Sequence, residues 1–272
     1  MKRRETVVFG VLLLFFLSLF VSAQIRVFDL RSDLRNRLHV SAAPIPPELL
    51  KALAGEFKGL VADYLLLEAA SFIGGNSSVN DAQWDAVARL LEQSSVLDPY
   101  FKQTYILAQG TLPWQGHKLA PAMAILERSK VHRTWDWRPG FLLGFNNFYF
   151  LKDNLKASHE LMQASKIPGA PLTLATWASR LASQAGQTSA AIEFLLTIHE
   201  GTEDETFKKQ LEARIEALRG VETLQFAVDR FQVRFSRSPN SLNELVEASI
   251  LPDLPRNPYK RPYSLSEGKV DF

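Results

Sequence analysis

Apolar side chains recur at intervals of three and four residues along most of the chain beyond residue 45, which is the spacing of one face of an α-helix. The clearest stripe runs from Leu49 to Phe72 and ends at Gly74-Gly75, a pair that stops a helix. Strict alternation of apolar and polar residues, the pattern of a strand, is nearly absent until the C-terminal end. The sequence therefore predicts an all-α protein with a small C-terminal α/β cap.

The N-terminal part of the chain has a different pattern. A basic cluster at residues 2–4 precedes Thr6–Ala23, a run without a charged residue. Such a run predicts a transmembrane helix that anchors the protein in the membrane. The basic end is expected on the cytoplasmic side and the bulk of the protein on the periplasmic side. We therefore expect a single-pass inner-membrane protein. The alternative is a signal peptide that is cleaved after Ala23, which releases the protein into the periplasm.

Proline clusters and changes of pattern divide the remaining chain. Residues 25–44 alternate charged and apolar side chains and are interpreted as a charged juxtamembrane stalk, which Pro44, Pro46 and Pro47 end. Helical repeats are predicted for residues 45–200, and one long helix is predicted for residues 201–236, with an apolar stripe that is interrupted at Gly220. Residues 237–272 form the cap.

The helical segments come in pairs, and several second helices share one arrangement of small residues. In Asn154–Pro168, Ala157, Leu161 and Ala164 stand at offsets of four and three before the closing proline, and Trp84–Pro99 has related offsets. Looser matches are Ala122–Arg133 and Ser189–His199, and the proposed first helices are Glu56–Phe72, Tyr100–Leu112, Gly140–Leu151 and Leu172–Gln184.

These offsets resemble degenerate tetratricopeptide repeats over roughly residues 48 to 200. The resemblance implies a TPR-like α-α superhelix, a solenoid in which each unit buries its apolar face against its neighbours. It also implies an inner groove, where related repeat proteins commonly hold peptides. A helical bundle without repeats is the alternative.

The cap has its own pattern. Pro239 to Ala248 predicts a loop and one short helix, and residues 263–265 and 269–272 are predicted to pair as a hairpin. The stretch weakly resembles the ends of type II secretion pseudopilins, with Asn257-Pro258-Tyr259 at the position of their proline-flanked turn. Asn257 replaces an acidic residue that helps to hold calcium there. The alternative is an element that only covers the open end of the solenoid.

Motifs for catalysis and for cofactor binding are absent from the sequence. There is no cysteine, no phosphate-binding glycine loop and no nucleophile elbow, and no two of the five histidines are three or four residues apart. We therefore expect no enzyme activity, no cofactor and no metal site. A net charge of +2 does not favour nucleic-acid binding.

Aromatic residues are concentrated between Trp135 and Phe150, a segment with seven rings. A helix that is aromatic on nearly every side is either buried all round or presents rings to a partner. Both interpretations stay open. Under the second, the partner-binding residues are predicted to be Trp135, Trp137, Phe145, Asn146 and Asn147, with Tyr105 and Gln109 on the preceding first helix.

Together these patterns predict a membrane-anchored, periplasm-facing scaffold that binds protein partners in a cell-envelope assembly. Two alternatives follow from single features. The cap favours an accessory protein of a pilus or type II-like secretion system, and the aromatic segment favours a carbohydrate- or polymer-binding envelope protein.

Overall fold

A computed structural model describes Leu13 and residues 15–27, 44–75 and 79–272. These residues are mostly helical, and strand is confined to one short hairpin among them. The all-α class predicted from the apolar spacing is thus confirmed, and every segment predicted as a repeat helix coincides with a helix. The predicted helix positions are therefore correct, and their arrangement as repeats stays a prediction.

The N-terminal prediction is corrected. Residues 15–27 are helical. No helix within the described residues is both long enough and apolar enough to cross a bilayer. The predicted single-pass inner-membrane topology is therefore wrong. The start of Thr6–Ala23 and most of the proposed stalk, at residues 28–43, lie outside the described residues.

The helices and strands follow one another in a simple order. They are α1 (Pro47–Ala54), a 3₁₀ turn (Gly55–Phe57), α2 (Lys58–Gly75), α3 (Asp81–Leu97), α4 (Lys102–Thr111), α5 (Leu119–His132), α6 (Arg138–Tyr149), α7 (Asn154–Ser165), α8 (Thr173–Gln184), α9 (Thr188–Gly201), α10 (Glu205–Phe235), α11 (Asn243–Glu247), β1 (Ser264–Ser266) and β2 (Lys269–Asp271).

The chain divides into two compact units, and the first is Met1–Ile125. Helix α3 begins with a capping box, since the side chain of Asn80 accepts from the Gln83 N–H and the Gln83 side chain accepts from the Asn80 N–H. Near its other end, the Ser94 hydroxyl donates to the Ala62 carbonyl of α2, at 3.0 Å. Small polar residues thus hold two apolar helices at close range.

In the second unit (Leu126–Phe272), each of the helices from α6 to α10 packs mainly on its neighbours in the chain. Helix α6 approaches α7 through Gly140 and Gly144, because a Cβ atom at Gly144 would lie 2.7 Å from the Leu161 side chain. A Cβ atom at Gly140 would lie 3.2 Å from Ala164. Leu161 and Ala164 are the positions that the repeat pattern predicted to be at a close helix contact.

The first helices of successive pairs also touch one another. Trp177 of α8 lies against two rings of α6, with ring centroids 6.1 Å from Phe141 and 5.7 Å from Phe148. The same rings border a core that includes Leu195 of α9 and Leu211 of α10. The apolar core of this unit is therefore continuous from one helix pair to the next.

Helix α10 runs unbroken through Gly220, the residue at which its apolar stripe is interrupted. The glycine has a packing role, because a Cβ atom at this position would lie 2.0 Å from the hydroxyl oxygen of Tyr263. That hydroxyl donates to the Ala217 carbonyl at 3.2 Å. Sequence spacing alone does not distinguish a glycine that ends a helix from one that admits a neighbouring ring.

The predicted hairpin is present, and β1 and β2 pair antiparallel with Leu265 opposite Val270. The two-residue turn Glu267-Gly268 has positive φ at both positions, as the favoured hairpin turns require. The Gln225 side chain of α10 accepts from the Val270 N–H and donates to the Gly268 carbonyl, each at 3.0 Å. The hairpin is thus fixed to the long helix.

Candidate functional site

The loop between α5 and α6 is built around the buried carboxylate of Asp136. One of its oxygens accepts two bonds from the Arg133 guanidinium, at 3.1 and 3.0 Å. The other accepts from the backbone N–H and the guanidinium of Arg138, both at 3.2 Å. A buried ion pair gains little net stability because both charges lose water. Here it gives the loop a defined shape.

Two indoles project from this loop into different surroundings. Trp135 is 59% exposed and carries the Arg133 guanidinium over its ring, 5.5 Å from the centroid. Trp137 is partly buried, with the Arg138 guanidinium 5.0 Å from one side and the ring of Phe141 5.8 Å away. The loop therefore fixes Trp137 against α6 and presents Trp135 to solvent.

The far end of α6 carries a second exposed ring. Tyr149 is 45% exposed and stacks on Phe145 at 5.4 Å, with the two ring planes 9° apart. The Phe150 ring contacts Tyr149 edge-on, with the two ring centroids 4.9 Å apart. The Lys152 ammonium lies 5.2 Å from the centroid of the Tyr149 ring. Tyr149 thus has ring and cation contacts while almost half of its surface is open to solvent.

The two predicted amide hooks lie inside the protein. Asn146 is completely buried, and Asn147 is almost so. The Asn147 Nδ2 donates to the Leu143 carbonyl at 2.8 Å, one turn earlier in the same helix. A side chain in this position has no access to an external peptide unless α6 moves. These two amides therefore stabilise the packing of α6 in this conformation.

Tyr105 and Gln109 lie on α4, in the first unit, whereas the other predicted site residues lie in the second. Both are buried, Tyr105 completely. The structure thus brings Trp135 and Trp137 together on one loop and places Phe145, Asn146 and Asn147 on one helix. A peptide groove that combines all seven residues stays a prediction.

Sequence reasoning missed Asp136, the residue that organises the loop. A signal was present, because the segment reads Arg133-Thr-Trp135-Asp136-Trp137-Arg138, with one acid between two indoles and two guanidinium groups. An acid in such a setting is a candidate for a bidentate pair with arginine. The sequence does not reveal which of the two indoles is exposed.

The cap contains a cavity of about 480 Å³, which α10, the loop before α11 and the hairpin enclose. Its lining includes Asn240, Ser241, Asn257 and Tyr263. The Asn257 Oδ1 accepts from the Tyr259 N–H at 2.9 Å, while its Nδ2 is buried and has no hydrogen-bond partner. Across the described parts of the chain, no group of three or more metal-ligating side chains is present, at this turn or elsewhere.

Comparison with known proteins found no similarity: no protein-family model matches the chain, and no curated protein or solved structure resembles it significantly.

Proposed function

We propose that this protein is a helical-repeat scaffold that binds protein partners, with Trp135 as an anchor residue of one interaction surface. The proposal rests on one observation above the others: an indole that is largely exposed is held in place by a buried ion-pair network. Exposed tryptophan with neighbouring arginine is the composition of interaction hot spots.

The arrangement of the second unit supports the scaffold interpretation. Helices α6 to α10 pack in chain order, and Trp177 connects the first helices of successive pairs. Proteins built in this way offer extended surfaces to partners because each unit contacts mainly its neighbours. The resemblance of these helix pairs to tetratricopeptide repeats is part of this proposal.

Preorganisation gives Trp135 an energetic advantage as an anchor. A flexible side chain loses roughly 0.5–1.5 kcal/mol of conformational freedom when a partner immobilises it. Asp136 has already fixed the loop through Arg133 and Arg138, and Arg133 restrains one face of the indole. Trp135 therefore loses less conformational entropy when a partner binds than a flexible side chain would.

The test is affinity capture of the full-length protein through a C-terminal tag, after chemical crosslinking in its native cells. We expect a defined set of partners with the wild type and at least a tenfold smaller yield with Trp135→Ala, since hot-spot truncations cost 2 kcal/mol or more. Trp114→Ala is the matched control, because Trp114 is also exposed but lies in the first unit.

Capture of the tagged protein alone, or equal yields with Trp135→Ala and the wild type, would contradict the proposal. Asn146→Ala combined with Asn147→Ala tests the peptide-groove hypothesis in the same experiment. Circular dichroism of each variant separates a lost contact from a lost fold, which matters most for these buried amides.

Carbohydrate binding is the second candidate, and the same exposed indole favours it because sugar rings stack on aromatic faces. Titration with oligosaccharides distinguishes the two. Quenching of tryptophan fluorescence that Trp135→Phe abolishes would favour a polymer-binding role, whereas an unchanged spectrum leaves the protein-binding proposal in place.

An accessory role in a pilus or secretion system is a narrower form of the scaffold proposal. Its support is the cap, in which a short helix, a proline-flanked turn at Asn257 and a terminal hairpin follow a long helix. The partners identified by capture decide it. If all captured partners belong to other assemblies, the accessory role in a pilus or secretion system is wrong, and the general scaffold proposal remains.

A further inference from the structure

The first unit carries an apolar stripe on its outer surface, at a distance in sequence from the aromatic loop. The stripe residues are spaced by three and four and are each between 51 and 70% exposed: Leu49, Leu53, Phe57, Leu60, Tyr64 and Leu67. They extend over α1, the 3₁₀ turn and the first half of α2. We call this set the α2 stripe.

Helix α2 is apolar on both sides, which is unusual for a helix at a protein surface. Its inner side, with Ala62, Leu66 and Ala69, is buried, and its outer side is the stripe. Exposed apolar patches of this extent mark interaction sites. The spacing of Leu60, Tyr64 and Leu67 matches the seam that one helix presents to another.

Acidic residues border the stripe. Asp63 lies along one edge and Glu68 along the other, and Glu56 precedes them in the 3₁₀ turn. None of the three forms an ion pair within the described part of the chain. Lys58, the one basic residue of α2, lies on the opposite side of the helix.

We propose that the α2 stripe docks an amphipathic helix of a partner protein, whose apolar side is bordered by lysine or arginine. The apolar stripe supplies affinity, and the acids at its edges select the charge of the partner. The α2 stripe belongs to the first unit, whereas the Trp135 loop belongs to the second. The inference therefore goes beyond the scaffold proposal and does not depend on it.

The docking surface is centred on α2, because Gly55, with φ of 51° and ψ of −126°, ends α1 and takes the chain out of helical phase. Leu60, Tyr64 and Leu67 of α2 are each between 63 and 69% exposed and lie at the spacing of one helix face. A second copy of the chain fits less well, because it would place Asp63 and Glu68 against acids of the same kind.

The experiment measures binding of two synthetic helical peptides to the full-length protein by fluorescence anisotropy. Both peptides carry leucine at the seam positions, and they differ only in having lysine or glutamate at its borders. We expect the lysine peptide to bind at least tenfold more tightly, and added salt to reduce this difference. Leu60→Ser with Leu67→Ser should abolish binding while circular dichroism stays unchanged, since both residues are exposed.

Two control variants sharpen the result. Val233→Ser removes an exposed apolar residue of α10 and should leave peptide binding unchanged. Asp63→Lys with Glu68→Lys should reverse the preference toward the glutamate peptide. Equal affinity for both peptides, absence of binding, or a wild-type dimer that Leu60→Ser with Leu67→Ser converts to a monomer would each overturn the proposal. The last outcome would assign the stripe to a second copy.

Discussion

Asp136 shows how a single side chain prepares a surface for binding. Its carboxylate is buried, and it accepts from two guanidinium groups that belong to residues on either side of it. A carboxylate that pairs with a guanidinium on each side holds both ends of a short loop. The arrangement therefore restricts motion of the loop, and it restricts the exposed indole of Trp135 as well because that residue lies in the same loop.

A second ionic contact at the residue scale makes the cap sensitive to pH. The Arg237 guanidinium, followed by the backbone N–H of Asn240, holds the pKa of the Glu244 carboxyl below its ordinary value. A lowered pKa in the folded state means that this carboxylate adds stability above its unfolded-state pKa. That contribution is lost as the pH falls through the folded-state pKa.

We therefore expect Glu244→Gln to lower the melting temperature at pH 7 and to have no effect in strongly acidic solution, where the wild-type carboxyl is protonated too. Differential scanning calorimetry at both pH values measures this. Glu247→Gln, on the exposed side of α11, is the control and should change neither melting temperature. A Glu244→Gln effect of equal size at both pH values would show that the charge is not its cause.

At the scale of elements, glycines set the distance between α6 and α7. A Cβ atom at Gly144 would lie 2.7 and 2.9 Å from side-chain atoms of Leu161 and 3.2 Å from the Ala157 carbonyl oxygen. Real Cβ atoms essentially never approach this closely, so either the leucine or the whole helix has to move. The sequence predicted small residues only on the α7 side of this contact, at Ala157 and Ala164.

We expect Gly144→Ala to destabilise the protein by about 1–3 kcal/mol, the usual cost of overpacking a core. Gly110→Ala is the matched control, because a Cβ atom there meets nothing within 4 Å. Alanine favours a helix over glycine by about 1 kcal/mol, so that variant should be neutral or more stable. Urea unfolding curves compare the two. If both variants unfold at the same urea concentration, the contact between α6 and α7 is looser than the distances indicate.

Four helices illustrate what periodicity predicts well. The apolar spacing located α2, α3, α7 and α8 closely because a helical face repeats locally, within one turn of the chain. It did not explain why the apolar stripe of α10 is interrupted at Gly220. The reason for glycine at that position is the ring of Tyr263, which is distant in sequence and is brought there by the cap.

At the scale of the whole molecule, the cap covers the outer side of α10. Val221, Leu224, Val228 and Phe231 are buried in a core to which Leu242, Leu245 and Val270 of the cap contribute. The last helix of a stacked array has no following unit to cover its apolar side, and an element of this kind replaces it.

A chain that ends at Ser236 should therefore be much less stable than the full-length protein. Each large apolar side chain that loses its cover forfeits up to about 1.5–3 kcal/mol. We expect a lower melting temperature and strong binding of the dye ANS to the exposed side of α10. Val270→Ser, which weakens the same core at one position, should give a smaller effect of the same sign. A truncated chain with the wild-type melting temperature would show that α10 needs no cover.

The candidate site was predicted only in part. Sequence reasoning selected the segment from Trp135 to Phe150 because its ring density is visible in the composition. It assigned the amides of Asn146 and Asn147 to a partner, whereas the structure buries both. Which face of an aromatic helix is covered depends on neighbours such as Trp177, and no local pattern contains that information.

The sequence by itself determined the class of the fold, the positions of the helices and the terminal hairpin. These features depend on interactions between residues that are close along the chain. Only the tertiary structure decided that Gly220 admits a ring, that Asp136 fixes a loop, and that the outer side of α2 stays exposed. Each of these follows from how distant segments share a limited volume, since close packing determines which side chains remain in contact with water.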